Sequence, residues 1–380
     1  VAQPLKDQYG PEVPLRVAAM LRAADPRFDA DGFAAAALHG YHEQPLLGRA
    51  RLVAAALVPY LPADPAAAVA LIERSLPPLA QTERWRGVET FVLLPFGFAV
   101  AGIGLDCFEA SMSALEQLTQ RCTAEFSIRP FLEHRYAPTM ARLAEWTAHP
   151  SDHVRRLVSE GTRPRLPWAP RLARFVQDPT PAVPLLAALL DDPSPYVRRS
   201  VANHLNDIAK DHPGLAVDLA ARWASPAREP LLRHGLRSLL KAGDPGALAV
   251  LGHHRPAPLR AAVVVAPEPV LIGTSAQVTV SLHNPTGAAV QVLVDVVVGF
   301  VKADGRTSRK VFRGGVVDIP AGATATLRRR VSLRQHTTRT PYPGIHPVQV
   351  QVNGQALAQG SFTVAPPDQP PDQPAVEPSP

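Results

Sequence analysis

Cysteine is almost missing from this chain. Cys107 and Cys122 are the only two in 380 residues, and they share no CxxC spacing. A disulfide-stapled scaffold and a thiolate zinc cluster are therefore both excluded. The same scarcity predicts a reduced, cytoplasmic protein. Long apolar runs are also lacking: stretches such as LVAAALVPYLP (52–62) are too short and too proline-broken to cross a bilayer. The opening VAQPLKDQYGPEVPLRV has no apolar segment of the kind an export leader carries. Net charge is a modest +6, so its distribution carries more information than its size. Residues 267–365 hold ten Lys/Arg against four Asp/Glu, and 366–380 hold three acids and no base. A basic segment attracts phosphate through Coulomb forces and counterion release. The same charge also suits a solvated surface.

What is present divides into two parts. Up to about residue 255, apolar residues recur three and four apart, with frequent Pro, Asp-Pro and Gly breaks. RARLVAAALVPYL (49–61), PAAAVALIERSL (65–76) and MSALEQLTQRCTAEFSIRPFL (112–132) are examples. HPSDHVRRLVSEG (149–161) aligns with DPSPYVRRSVANH (192–204) at a spacing of 43, matching Val154 to Val197, Arg155 to Arg198, Arg156 to Arg199 and Val158 to Val201. Helix-pair repeats of the HEAT or armadillo kind run at roughly 40–47 residues, which predicts a stacked solenoid. From about residue 260 the chain turns β-branched and alternating, with turn signals at HNPTG, KADGR, PAGA and VNGQ. About seven short strands in about a hundred residues predict an immunoglobulin-like sandwich, with Asn353-Gly354 as a hairpin turn. The expected plan is multidomain, α then β: a HEAT-like helical domain over 1–258, the sandwich over 263–365, and a disordered proline-rich tail over 366–380.

SEGTRPRLPWAP (159–170) gathers an acid, two arginines and a tryptophan within a few residues. On a helical wheel Val154, Leu157 and Val158 form the packed face, with Arg156, Glu160 and Arg163 roughly opposite. The matching face of the later repeat holds Arg199 and Asn203, then Asn206 and Asp207. Stacked repeats would align these into one surface whose arginines meet phosphates. In the plainer view, Arg156 and Glu160 are an ordinary i, i+4 pair and Trp168 caps the repeat's core.

ALEQLTQRCTAEFSIRPFL (114–132), HPSDHVRRLVSEGTRPRLPWA (149–169), VRRSVANHLNDIAKDHP (197–213) and the opening PLKDQYGP (4–11) resemble AlkC-type DNA-3-methyladenine glycosylases. The resemblance covers essentially the whole helical part. The downstream sandwich is similar to the immunoglobulin-like domain that one branch of that family uses to help encircle DNA. The resemblance implies hydrolysis of the N-glycosidic bond to cationic alkylated bases, chiefly 3-methyladenine and 3-methylcytosine, without drawing the base into a pocket. By motif match, Glu125 in CTAEF, Glu160 in SEGTRPR and Asp207 in HLNDIA become the catalytic carboxylates. Trp168 becomes the lesion contact, and Arg156 and Arg163 the holders of the backbone beside it.

Physical chemistry is consistent with those roles. An N3-alkylated base is already cationic and leaves as a neutral molecule, without help from an enzyme acid. What remains is an oxocarbenium-like sugar, which needs negative charge nearby and a positioned water. A tryptophan face attracts such cations. No metal or other cofactor is required. The expected partner is duplex DNA containing alkylated bases, met by a monomer away from membranes. Further DNA contacts are expected at Arg165, Arg199, Asn203 and Lys210, and on the sandwich at Arg306, Arg309 and Lys310 of KADGRTSRK. The rival expectation is a non-enzymatic helical-repeat scaffold for nucleic acid or protein, in which the three acids are solvated charges.

Overall fold

The computed structural model describes residues 5–85, 87–253, 259–336 and 339–367. The expected disordered tail lies, from residue 368 onward, outside the described residues. The chain packs as two compact units, Val1–His212 and Pro213–Pro380.

The first unit is helical: α1 (Glu12–Ala24), α2 (Ala30–Leu38), α3 (Leu46–Leu57), α4 (Pro65–Arg74), α5 (Leu79–Thr82), α6 (Leu94–Ile103) and α7 (Phe108–Thr119) lead in. Then come α8 (Arg129–His134), α9 (Tyr136–Trp146), α10 (Asp152–Gly161), α11 (Ala173–Gln177), α12 (Val183–Ala188) and α13 (Pro195–Asp211). The stripes that define them are the ones they bury. Val154, Leu157 and Val158 of α10 and Val197, Val201 and Leu205 of α13 are all at most 1% exposed, and the two helices pack on each other. The 43-residue repeat reappears as matched hydrogen bonding. Arg155 Nη1 folds back on the carbonyls of His149 and Pro150, both at 2.8 Å. Arg198 Nη1 does the same to Asp192 and Pro193, each 43 residues later. Each arginine thereby satisfies carbonyls of the turn that starts its own helix.

One apolar stretch escaped the sequence reading. Glu89–Asp106 averages a hydropathy of 1.4 over 18 residues, enough by length and composition to span a bilayer. Here it is a 3₁₀ turn (Gly87–Leu93), then α6, then a second 3₁₀ turn (Gly104–Asp106). Phe96 and Val100 of α6 are fully buried in the unit's core.

The second unit opens with α14 (Pro213–Trp223), α15 (Glu229–Gly235), α16 (Arg237–Ala242) and α17 (Pro245–Val250). Eight described strands follow: β1 (Arg260–Ala266), β2 (Val270–Leu271), β3 (Ser275–His283), β4 (Val290–Val301), β5 (Thr307–Ile319), β6 (Thr324–Ser332), β7 (Gly344–Val352) and β8 (Gln355–Ala365). They form two sheets, β1-β3-β6 and β2-β8-β7-β4-β5, the layered arrangement of an immunoglobulin-like sandwich. Alternation sets the core: Ala276, Val278, Val280 and Leu282 of β3 face Val292, Val294, Val296 and Val298 of β4. The β7–β8 hairpin turns on Asn353-Gly354, both at positive φ (46° and 78°), as a two-residue primed turn requires. Gly354 also abuts Gly243, at φ 76°, so closely that a Cβ on Gly243 would lie 2.9 Å from the Gly354 carbonyl oxygen. That approach requires glycine at both positions and docks the α16–α17 turn on the hairpin.

Candidate active site

Three parts of the helical unit supply the acids. Glu125 lies in the turn between α7 and α8, Glu160 in the last turn of α10, and Asp207 in the last turns of α13. They alternate with cations in one connected network. Glu125 accepts from the Thr123 hydroxyl and pairs with Arg156 Nη2 at 2.9 Å. Arg156 stands 3.9 Å from Glu160, whose Oε2 accepts from Arg163 Nη1 at 2.9 Å. Arg163 Nε donates to Asp207 Oδ2 at 2.8 Å, and Lys210 Nζ to Asp207 Oδ1 at 3.0 Å. Arg163 is thus a fork joining carboxylates from two helices.

Burial corrects the sequence expectation. The wheel placed Glu160 and Asp207 on an open, phosphate-facing surface, yet their side chains are 6% and 0% exposed, and that of Glu125, assigned by resemblance, is 12% exposed. A wheel gives angles within one helix and says nothing of what lies across it. Here α13 lies across α10, and acids buried this deeply must be paired. The arginines expected to grip phosphate are consequently engaged inside the protein. Burial alone would pull the Arg163 guanidinium down, but Glu160 and Asp207 more than offset it and hold it above the ordinary arginine value. Arg156 is balanced likewise, chiefly by Glu125, and lies 4.8 Å over the Tyr196 ring. The expected i, i+4 pair is its longer contact. Arg165 forms a two-pronged pair with Asp211, Nε to Oδ2 at 2.7 Å and Nη2 to Oδ1 at 2.5 Å.

The other expected DNA contacts are more accessible than the acids. Arg199 and Lys210 are exposed and Asn203 is half-buried. On the sandwich, Arg306, Arg309 and Lys310 are exposed. Arg306 pairs with Asp304 at 2.6 Å, and Lys310 Nζ sits 5.5 Å from the Phe312 ring centroid.

Trp168 caps no core: it is 59% exposed. Its backbone is left-handed, φ 67°, which is uncommon for a bulky side chain and gathers at functional positions. The loop that presents it is held by a residue the sequence reading passed over. Arg129, 5% exposed, donates from Nη1 to the carbonyls of Arg163 (2.9 Å) and Gly161 (3.4 Å), and from Nη2 to that of Pro170. Desolvation lowers its pKa to about 10. A lone arginine in SIRPFL announces nothing, because its acceptors are carbonyls 32–41 residues later.

Tyr196 and His204 were also missed. The repeat alignment could have found Tyr196, which matches His153 position for position; the two rings meet edge-to-face at 5.6 Å. His204, fully buried, contacts the Ser159 carbonyl through Nδ1 at 3.0 Å and so ties α13 to α10 beside Glu160. Burial lowers its pKa to about 4, which keeps it neutral. Among the described residues no three His, Cys, Asp or Glu side chains converge as a metal site; the acids here are interleaved with guanidinium groups.

Comparison with known proteins agrees with this architecture. Residues 260–366 match the model described as the C-terminal Ig-like domain of the uncharacterised protein YhaZ, and residues 182–212 match the HEAT repeat. The chain is 34% identical over 364 residues to the uncharacterised protein YhaZ of Bacillus subtilis, covering 95% of this chain and 99% of that one. It also superposes with a TM-score of 0.86 on the Pseudomonas fluorescens alkylpurine DNA glycosylase AlkC bound to DNA containing an abasic site analog. That match has 36% identity and covers 96% of this chain and all of the other. Near-complete coverage in both directions and a shared helical-repeat-plus-sandwich plan mean that the chain belongs to the AlkC-type family.

Proposed function

We propose that this protein is a DNA glycosylase that removes cationic alkylated bases, 3-methyladenine and 3-methylcytosine, from duplex DNA by hydrolysing the N-glycosidic bond. The observation that carries the proposal is the Arg163 fork between two buried carboxylates of separate helices, in the same segment as an exposed, left-handed Trp168. The likeness to a DNA-bound alkylpurine glycosylase supports the substrate class.

The chemistry follows from the charges. Glu125, Glu160 and Asp207 are balanced in the network by Arg156, Arg163 and Lys210, so the DNA-free site is close to neutral. Phosphates flanking a lesion compete for the same arginines. As Arg156 and Arg163 turn toward them, the carboxylates lose their counter-charges just where the sugar becomes cationic. At about 4 Å and an effective dielectric of about 20, one carboxylate–cation contact is worth up to ~4 kcal/mol, or roughly a thousandfold in rate. Another carboxylate orients or deprotonates the attacking water. Trp168 offers its ring face to the alkylated base or the developing sugar cation, for ~0.5–2 kcal/mol. The leaving group starts cationic and needs no proton, so the residues named suffice without a cofactor. We assign the protein as a monomer acting on duplex DNA.

The rival scaffold treats the three acids as solvated charges, and their burial weighs against it. Duplex DNA carrying 3-methyladenine separates the two readings: only an enzyme releases free base and leaves an alkali-labile site. Asp207→Asn and Glu160→Gln are each expected to slow base release by orders of magnitude while duplex binding persists. Wild-type rates in both variants would remove the carboxylates from the mechanism.

A further inference from the structure

Beside the acid network the helical unit holds a cavity of about 440 Å³, within the ~300–1,000 Å³ range of small-molecule sites. None of the expected site residues lines it. Two of its walls are the half-buried rings of Phe98 and Phe126, with centroids 6.2 Å apart and planes 36° from parallel. Alanines of α3 and α6 add to the apolar lining. The polar groups are few and of both signs: Arg51, whose guanidinium carbon lies 5.0 Å over Phe98, with Arg129 and the exposed Glu133. Two aromatic side chains in an apolar wall, with arginine donors and a carboxylate acceptor at the edge, suit a neutral heteroaromatic ligand. A free purine fits that description: it carries acceptor ring nitrogens for Arg51 and, in adenine-type bases, an amine donor for Glu133.

The cavity is wired to the Trp168 loop. Phe126 follows Glu125 in the chain, and the lining residues Ala169 and Pro170 follow Trp168. Arg129 is both a wall of the cavity and the clamp on the carbonyls of Gly161, Arg163 and Pro170. An occupant that touches Arg129 therefore acts on the segment carrying Glu160, Arg163 and Trp168. We propose that this cavity binds a free adenine-type base, and that its occupation slows turnover by constraining the Trp168 loop. The proposal rests on the glycosylase reading in one respect: it makes the occupant the reaction's own product, and the site a point of product inhibition.

Gly102 lines the cavity, and a Cβ built there meets no atom within 4 Å, so Gly102→Leu adds a side chain at a lining position whose Cβ has open space. Adenine and 3-methyladenine are titrated calorimetrically into the full-length, DNA-free protein. Saturable one-to-one binding is expected, weakened at least about tenfold by Gly102→Leu. In base-release assays, added adenine should lower kcat with KM for lesion DNA unchanged, and Gly102→Leu should resist it while keeping its basal rate. Ala55→Leu, at an exposed lining position, serves as a second filler should the first not fold. Absence of saturable binding in the wild type, or equal binding in both fillers, overturns the proposal. Filler-sensitive binding in a protein that cleaves no lesion would keep the purine site and remove only its reading as a product site.

Discussion

The two units use arginine in opposite ways. In the helical unit Arg49, Arg129 and Arg163 are 6%, 5% and 7% exposed. Arg49 draws together the carbonyls of Lys6, Tyr9, His42 and Gln44, Arg129 those of the Trp168 loop, and Arg163 joins two acids. In the sandwich Arg306, Arg309, Arg328, Arg329, Arg330 and Arg334 are all exposed. The difference follows from the architecture. Short helices leave orphan carbonyls at every C-terminal end, which a buried five-donor fork can collect. Sheet ladders satisfy their own backbone and leave arginine less to do inside. Among the described sandwich arginines only the half-buried Arg313, paired with Asp295 at 3.0 Å, and Arg339, bonded to the Ser332 carbonyl at 2.6 Å, are engaged there. Arginine count therefore says little about DNA contact, and what each one is desolvated with says much more.

Removing one arginine charge from each unit should separate them most strongly. Arg163→Met leaves Glu160 without its 2.9 Å partner and Asp207, 0% exposed, without its 2.8 Å partner. Removing one member of a buried ion pair costs about 3–5 kcal/mol. Arg306→Met removes a pair whose side chains are 81% and 45% exposed, a solvated contact that contributes little to stability. Urea unfolding of the two variants should show a large drop in midpoint for the first and almost none for the second. Comparable losses would mean that the buried network contributes no more than a surface pair.

Acidity separates the units next, with opposite signs. His204, packed near Asp207, Glu160 and Arg163, has its pKa lowered by burial from 6.5 to about 4. It takes up its proton more readily unfolded, so its contribution is complete above about 6.5 and drains as pH falls toward 4, by on the order of 2–3 kcal/mol. Asp295 on β4 is raised by burial from 3.8 to about 6, although Arg313 lies 3.0 Å away. It is protonated more readily when folded, so its contribution is complete below 3.8 and is lost as pH rises through about 6. Amide exchange corrected for intrinsic rates should show α13 losing protection between pH 6.5 and 4 while β4 gains it. Parallel trends in the two elements would show that other groups govern both.

These contrasts mark where sequence was enough. The 43-residue repeat, the strand alternation and the Asn353-Gly354 turn are local signals, and each is seen in the fold. The grouping of Glu125, Glu160 and Asp207 came from motif resemblance, because no periodicity links a turn residue to two helices 35 and 82 positions further on. Burial of the acids, the commitment of Arg163 and Arg165, and the Arg129 clamp depend on which helix lies over which. A single-helix wheel has no access to that information.

The last contrast is in the backbone. Only two described non-glycine residues have positive φ, Trp168 at 67° and Asn353 at 46°. Asn353 suits its turn, since its Oδ1 accepts from the buried Leu293 N–H at 2.8 Å and asparagine tolerates this region. Asn353→Gly therefore relieves little and leaves that N–H without its acceptor, at a cost of roughly 1 kcal/mol. Trp168 gains no comparable compensation: its ring is 59% exposed, and left-handed backbone costs an L-residue roughly 1–2 kcal/mol. Trp168→Gly should accordingly leave stability unchanged or raise it by up to about 1 kcal/mol, while base release falls. Denaturant midpoints and single-turnover rates on the same two variants give the comparison. A marked loss of stability in Trp168→Gly would make the tryptophan a structural residue, and its left-handed backbone would then say nothing about the lesion.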